Sequence, residues 1–575
     1  MKLRLGWLVI GSAFVLAPLA MASKSGETMF KQKPSSYEKL PPAKKGGTLF
    51  LSLSNNPKVM NPILSSDANS GSVEPFLWAR LFTEDAATLS PLPYLAESYI
   101  ISKDRKSYTF KLQSIAKWED GTAVTTEDVR FTFDTMMNPK VDAAPLRAYW
   151  DGVTLEIKDP WTFTFTVKEP KFDTLRSLYL FSVVQKKQFA SEQDFNKSRG
   201  ILQPVGNGPY KLKIFSRDQR VEFERVKDWW GNAIPHLKNR YNADRIVLRI
   251  VTDPNLEYER FVKGDLDIME FPSSAVELYA KKVMDTDKSR YGKSEKDGKD
   301  MWSAEFMNKA PRGYSYVGWN LKNPIFASKK TRQAMARLAN YQEMIDKIYY
   351  GFQHQATSPF GSLTLNSDPN LRKPGKMFTY DLPKALELLK ADGWADRNGD
   401  SILEKTIDGK KVDFKFTLKY NSNNPSRGKI AQVLKENFKK AGIEMDIRAM
   451  EWNAYLTDVD NRQFDALILA WTATPYPNPK QTWHTDAEKN QGSNFVSYSN
   501  PKVDALIGKA NLEFNLTQRA KILQEINRIL YDDQPYMFLF EPRSMIAAFH
   551  KKVKAPVWAM EYDVSAPIDI YTFEQ

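Results

Sequence analysis

The chain has no cysteine and only four histidines in 575 residues. The first absence excludes disulfides, thiolate catalysis and cysteine-based metal sites. It also excludes a lipid-modified cysteine near the N-terminus. The histidines, His236, His354, His484 and His550, stand far apart, and none falls in HExxH or another metal-ligand spacing. No GxSxG nucleophile elbow occurs. Gly206-Asn207-Gly208 runs into Pro209 and so cannot open a dinucleotide-binding helix. Gly292 to Lys299 has the wrong spacing for a phosphate loop, with Asp300 where a hydroxyl belongs, and reads as a polar surface loop. No catalytic residue, metal or cofactor follows, and enzymatic activity is not expected.

Long apolar runs are also missing, except at the start. Lys2 and Arg4 precede the apolar stretch Leu5 to Leu19, and Ala20-Met21-Ala22 supplies small residues for cleavage. This pattern predicts a secretory signal over residues 1–22. The apolar run is short of the ~20 residues that a membrane span needs. A soluble periplasmic protein is therefore expected, one that must rely on its core for lack of disulfides. The net charge is +13, or +11 without Lys2 and Arg4. Its cations are scattered among many acids. Pairs such as Lys329-Lys330 and Lys551-Lys552 read as solvated surface. No basic stripe suited to nucleic acid is present.

What is there is a mixture of strands and amphipathic helices. Residues 23–46 are polar and read as a flexible leader. Order is expected from Gly47 to Leu53, an alternating strand. Ser107 to Leu112, Thr162 to Val167, Ile246 to Val251 and Phe414 to Leu418 alternate in the same way. Helical spacing places Ile430, Val433, Leu434, Phe438 and Ala441 on one face, and Ile522, Leu523, Ile526, Ile529 and Leu530 on another. Thr125 and Asp128 form a capping box ahead of Val129, Phe133 and Met136. Gly442 is a helix stop. No repeat or low-complexity linker cuts the chain, which predicts interleaved domains.

Aromatics are plentiful, with 14 tryptophans. The apolar strand Ala466 to Ala470 runs into Trp471-Thr472-Ala473-Thr474-Pro475-Tyr476-Pro477-Asn478-Pro479. Such a strand end is where α/β lobes commonly hold ligands; ordinary core packing is the alternative for Trp471. Asp396-Arg397-Asn398-Gly399-Asp400 is half of a calcium loop, but Ser401 and Ile407 stand where Gly and Glu are needed, so an Asx-rich turn is preferred. Asp532-Asp533 reads as a helix end rather than an acid/base pair.

Several motifs occur in a telling order. Pro91 to Ser98 carries "LAE", Lys117 to Thr122 carries "W-x-DG", and Thr125 to Phe133 carries "T-x-EDV". Pro204 to Tyr210 is similar to "GTGPY", with Asn207 in place of Thr, and Trp229-Trp230-Gly231 to "YWG". Tyr380-Asp381 with Ala385, Leu388, Leu389, Gly393 and Trp394 follows, then Asn494-Phe495 to Ile507, similar to "NPxVDxLI". Together they resemble the signature of the family 5 extracellular solute-binding proteins, receptors of oligopeptide, dipeptide and nickel ABC importers. Trp483 and Gly492-Ser493-Asn494 are most similar to the microcin C/oligopeptide-type subgroup.

The resemblance implies an α/β, two-lobed periplasmic-binding-protein fold with a hinge, one lobe carrying an additional domain. It places lobe I at 47–75, 205–315 and 541–575, the extra domain at 76–204, and lobe II at 316–540. It implies a peptide or peptide-like ligand between closing lobes, delivery to an ABC-transporter membrane permease, and a monomer. Ligand-binding residues would be Trp452, Trp471, Thr472, Thr474 and Tyr476. In this family an Asp at the position of Thr474 pairs with the peptide α-amine. Thr474 offers only a hydroxyl, so Glu451 or Asp458 would have to serve, or the ligand lacks a free amine. A saccharide or murein-derived ligand, a periplasmic chaperone and an exported hydrolase are the other readings.

Overall fold

Alternation of apolar and polar side chains sets the strands, and the computed structural model pairs them into four main sheets. It describes residues 27–40, 42–65, 68–143, 146–147, 150–189, 191–197, 204–273, 275–282, 292–295, 301–307, 311–491, 493–550, 552–554 and 572–573. The expected signal at 1–22 and Gly492 lie outside these residues. Among the described residues no helix is long and apolar enough to cross a membrane.

One sheet is antiparallel, with Thr28–Met29, Ala96–Ile101, Ser107–Leu112, Thr162–Val167 and Val153–Ile157 in that spatial order. A second joins Thr48–Leu53 in parallel to Arg245–Ile250, followed by Arg220–Arg225 and Tyr210–Ser216. These two sheets and the helix Thr126–Met137 enclose one apolar core. The capping box forms as expected. The Asp128 carboxylate accepts from the Thr125 N–H at 3.1 Å, and Val129, Phe133 and Met136 are buried.

A larger core surrounds another sheet, ordered Glu444–Met450, Lys415–Asn421, Ala466–Thr472, Gly313–Trp319 and Tyr536–Phe538. The first three strands are parallel, so Asn421, Met450 and Thr472 share one edge. Helix Pro425–Lys440 buries Ile430, Leu434 and Phe438 against this sheet and ends before Gly442, whose φ of 76° suits a residue without a side chain. Helix Leu516–Asp533 buries Leu523, Ile526 and Leu530.

The two cores meet along one antiparallel pair, Ile268–Glu270 with Ser544–His550, which Met301–Met307 and Gly292–Glu295 extend. Side chains alternate across a strand. Ala547 and Phe549 accordingly enter the first core, while Ile546 and Ala548 enter the second. A single strand thus serves two bodies.

Four expectations need correction. The flexible leader at 23–46 is docked over much of its described length. Thr28–Met29 pairs with Ile100 and Ile101, Phe30 packs on Phe82 and Tyr99, and Tyr37 is buried beneath the Arg240 guanidinium at 4.2 Å. Ser35 and Ser36 both donate to the Asp85 carboxylate. A few aromatics spaced along a polar segment are enough to anchor it, although its mean composition hides them. The polar loop expected from Gly292 begins instead as the strand Gly292–Glu295, paired with Trp302 to Glu305; residues 296–299 lie outside the described ones. Lys552 is more than solvated surface, since its ammonium meets the fully buried Asp267 carboxylate at 2.6 Å. The strands Gly313–Trp319 and Phe540–Pro542 run across the expected 315/316 and 540/541 borders.

Candidate ligand cleft

The site begins at the shared edge of the parallel strands. Trp471 is the penultimate residue of Ala466–Thr472 and lies opposite Tyr314. Its indole N–H donates to the Tyr536 hydroxyl at 3.3 Å, and its ring lies parallel to Phe495, 8° apart in tilt with centroids 5.6 Å apart. Burial pushes the Tyr536 hydroxyl up to about 12. It stays protonated and stacks on Tyr316 at 3.7 Å. Trp471 is therefore half-buried, with its base fixed and its edge at the surface. Thr472, the next residue, is exposed.

The chain then turns. Thr474 Oγ1 accepts from the Tyr476 N–H at 3.3 Å, a local turn typical of a hydroxyl side chain. Asn366 Nδ2 donates to the Pro475 carbonyl at 3.3 Å, and Arg519 to that of Pro477 at 2.6 Å. These bonds aim Tyr476 at the other body, where its ring lies 5.9 Å from that of Phe172. Burial raises the Tyr476 pKa, with the nearby Glu84 charge adding to it and Arg176 opposing.

Opposite stands a neutralised pair. Arg176 donates Nε and Nη2 to the two Glu84 oxygens, both at 2.7 Å, and the Tyr179 hydroxyl adds a third bond at 2.7 Å. Burial works against the Arg176 cation, but the hydrogen bonds and charge of Glu84 outweigh it and raise its pKa.

Trp452 reaches the same sheet edge, two residues past Met450, but sits two strands away from Trp471. It is 38% exposed, and its ring contact is with its own helix neighbour Tyr455 at 6.1 Å. Trp471, Thr472, Thr474 and Tyr476 are thus together, and Trp452 is apart. The two acids considered as substitutes for an anchor at Thr474 are engaged elsewhere. Asp458 holds Lys419 at 2.7 Å, and Glu451 accepts from the Ala454 N–H of its own helix. Glu84, Phe172 and Arg176 were missed because they lie about 300 to 390 residues from Trp471, with no local motif.

Among the described residues, the Ser362–His354–Glu541 cluster does not have the geometry of a nucleophile and its base. Ser362 and His354 both bond to the Glu541 carboxylate, at 2.6 and 3.1 Å, which makes Glu541 the hub of the cluster. In the 396–400 segment, Asp396 accepts from the Gly399 and Ser401 N–H groups and Asp400 from that of Ile402, so it is an Asx turn whose carboxylates face backbone donors. Other motifs prove structural. A Cβ on Gly206 would meet the Leu77 carbonyl oxygen at 2.1 Å. That close approach lets Asn207 take the Ala79 N–H on its side chain and both indole N–H groups of Trp229 and Trp230 on its carbonyl.

Two α/β bodies that share a strand pair and face each other across an aromatic seam define a two-lobed binding protein. Residues 90–494 match the model of the bacterial extracellular solute-binding proteins, family 5 (middle region), and the chain belongs to that family. It is 27% identical to the oligopeptide-binding protein AppA of Bacillus subtilis over 558 residues, 95% of each chain. The solved structure of that protein with a nonapeptide is similar at a TM-score of 0.76 and 25% identity, covering 93% of this chain and 100% of the other. The periplasmic binding protein DppA of Helicobacter pylori with the peptide STSA is similar in fold, at a TM-score of 0.74 and 23% identity, over 92% and 99%.

Proposed function

We propose that this solute-binding protein captures a peptide or peptide-like solute between its two lobes in the periplasm and delivers it to the membrane permease of an ABC importer. The observation that carries this reading is the seam itself. Tyr476, five residues beyond Trp471 at the edge of one sheet, faces the Glu84–Arg176 pair of the other lobe. Aromatic faces and backbone-like polar groups suit a peptide, and no group there performs chemistry. We assign ligand contact to Trp471, Thr472, Thr474 and Tyr476, with Trp452 at the margin. The lobes are divided as the family resemblance implies, with their borders moved to 312/313 and 542/543 so that no strand is split. The signal at 1–22 is removed on export, and the mature chain acts as a monomer.

Thr474 bears on which peptides are taken. Its hydroxyl is occupied by the local turn, so a free α-amine finds no carboxylate there. Native mass spectrometry of the purified protein is expected to show one retained peptide-sized or modified-peptide mass per chain. A saccharide mass overturns the peptide reading, and hydrolysis of a chromogenic peptide overturns the receptor reading. Thr474→Asp is expected to strengthen binding of unmodified peptides by about tenfold, the scale of one charge-assisted hydrogen bond. Tight binding of free peptides by the unaltered protein contradicts the missing-anchor argument.

A further inference from the structure

The lobes touch at a second place besides the shared strands. Phe172 and Asp173 precede the short helix Thr174–Tyr179 of the first body. The Phe172 N–H donates to the Asn511 carbonyl at 2.8 Å, across to the second body. Asn478 Nδ2 donates to Asp173 Oδ2 at 2.9 Å. The Phe172 ring lies beneath the Arg519 guanidinium at 4.1 Å, and Arg105 lies over Phe514 at 4.4 Å.

Arg519 shows what this contact does. Only 3% exposed, it donates to the carbonyls of Pro477 and Ala510. Burial lowers its pKa to about 10, with the Asp173 charge pulling the other way. Phe172 is the lid over that cation. When the lobes part, the guanidinium regains water while two interlobe hydrogen bonds and two cation–π contacts are lost. The contact is small and polar, suited to forming and breaking repeatedly, unlike the apolar join at the shared strands.

We propose that Phe172, Asp173, Asn478 and Arg519 form a latch that sets solute affinity by holding the lobes closed, as positioning residues that act on the solute only through closure. The proposal rests on the receptor reading above. When only the closed form retains solute tightly, apparent affinity scales with the closed fraction. A weakened latch then lowers affinity by one common factor for every solute. A residue touching the solute changes their rank order instead.

The test uses the absence of cysteine. Lys171→Cys and Leu512→Cys put thiols on the neighbours of Phe172 and Asn511, and the rate at which a short bismaleimide bridges them reports the closed fraction without any solute. In this background N478D sets two carboxylates against each other, and D173N with N478D restores a donor and an acceptor in swapped positions. Lys480, whose N–H the Asn478 side chain accepts at 3.1 Å, keeps its partner in every variant. Expected is about a tenfold slower bridging rate in N478D and recovery in the double variant. Affinities for a set of tri- to nonapeptides, each with a free and with an acetylated N-terminus, should fall by the same factor with their order kept. An unchanged bridging rate in N478D, or no recovery in the double variant, overturns the latch. Slower bridging with recovery, but no peptide bound by any of the proteins, sustains the latch and overturns the peptide reading.

Discussion

His236 shows how one buried residue links stability to pH. It lies in the short helix Pro235–Leu237 and is 1% exposed. Burial, with the Arg240 charge second, lowers its pKa from 6.5 to about 4. In the unfolded chain the imidazole takes up a proton near pH 6.5, whereas in the folded chain it resists until about pH 4. The unfolded state therefore binds more protons throughout that window, and stability falls as pH drops across it. The loss should approach about 3 kcal/mol at the acid end. His236→Phe should flatten the dependence of the urea midpoint between pH 7 and pH 4, whatever it does to absolute stability. An unaltered slope assigns the effect to another group. At the same scale Trp471 is legible and Glu84 is not. A tryptophan followed by three prolines announces a strand end, while a glutamate in Phe82–Glu84 looks like any other until Arg176 folds onto it.

Helix Thr126–Met137 shows how an element is secured at its first turn. Asp128 lies at the third helical position and is 7% exposed. Its carboxylate accepts from the Thr125 N–H at 3.1 Å, the Trp118 indole at 3.2 Å and the Lys186 N–H at 3.0 Å. The "W-x-DG" and "T-x-EDV" motifs are thus one hydrogen-bonded unit, which explains their shared spacing. Asp128→Ala leaves three donors without an acceptor and should cost about 3 kcal/mol in chemical denaturation. Thr125→Ala, which removes only the cap, should cost about 1 kcal/mol. Equal costs for the two contradict the wider role of Asp128. Alternation and helical spacing found these elements within about three residues, because each buries one face. The leader escaped because its buried anchors Tyr37 and Leu40, with Phe30, are too few among polar neighbours to establish either period.

Two apolar cores joined by one shared strand pair govern the whole molecule. Each core is large enough to unfold as its own unit, while the strand Ser544–His550 ties the two together through alternate residues. Scanning calorimetry of ligand-free protein should resolve two overlapping transitions. A saturating solute bridges the lobes and should raise and merge them, since binding only to the folded, closed form stabilises both. A single sharp transition that solute shifts without narrowing contradicts two units of this kind.

By itself, the sequence determined the kinds of element and the family, because periodicity and ordered motifs are local properties carried along the chain. It placed Trp471, Thr472, Thr474 and Tyr476 on one strand end for the same reason. Only the tertiary structure decided what faces them. The meeting of Tyr476 with the Glu84–Arg176 pair, the seat of Phe172 under Arg519 and the two-faced strand Ser544–His550 join residues hundreds of positions apart. Such contacts depend on how two bodies close on each other, and no local pattern of apolar and polar residues encodes that.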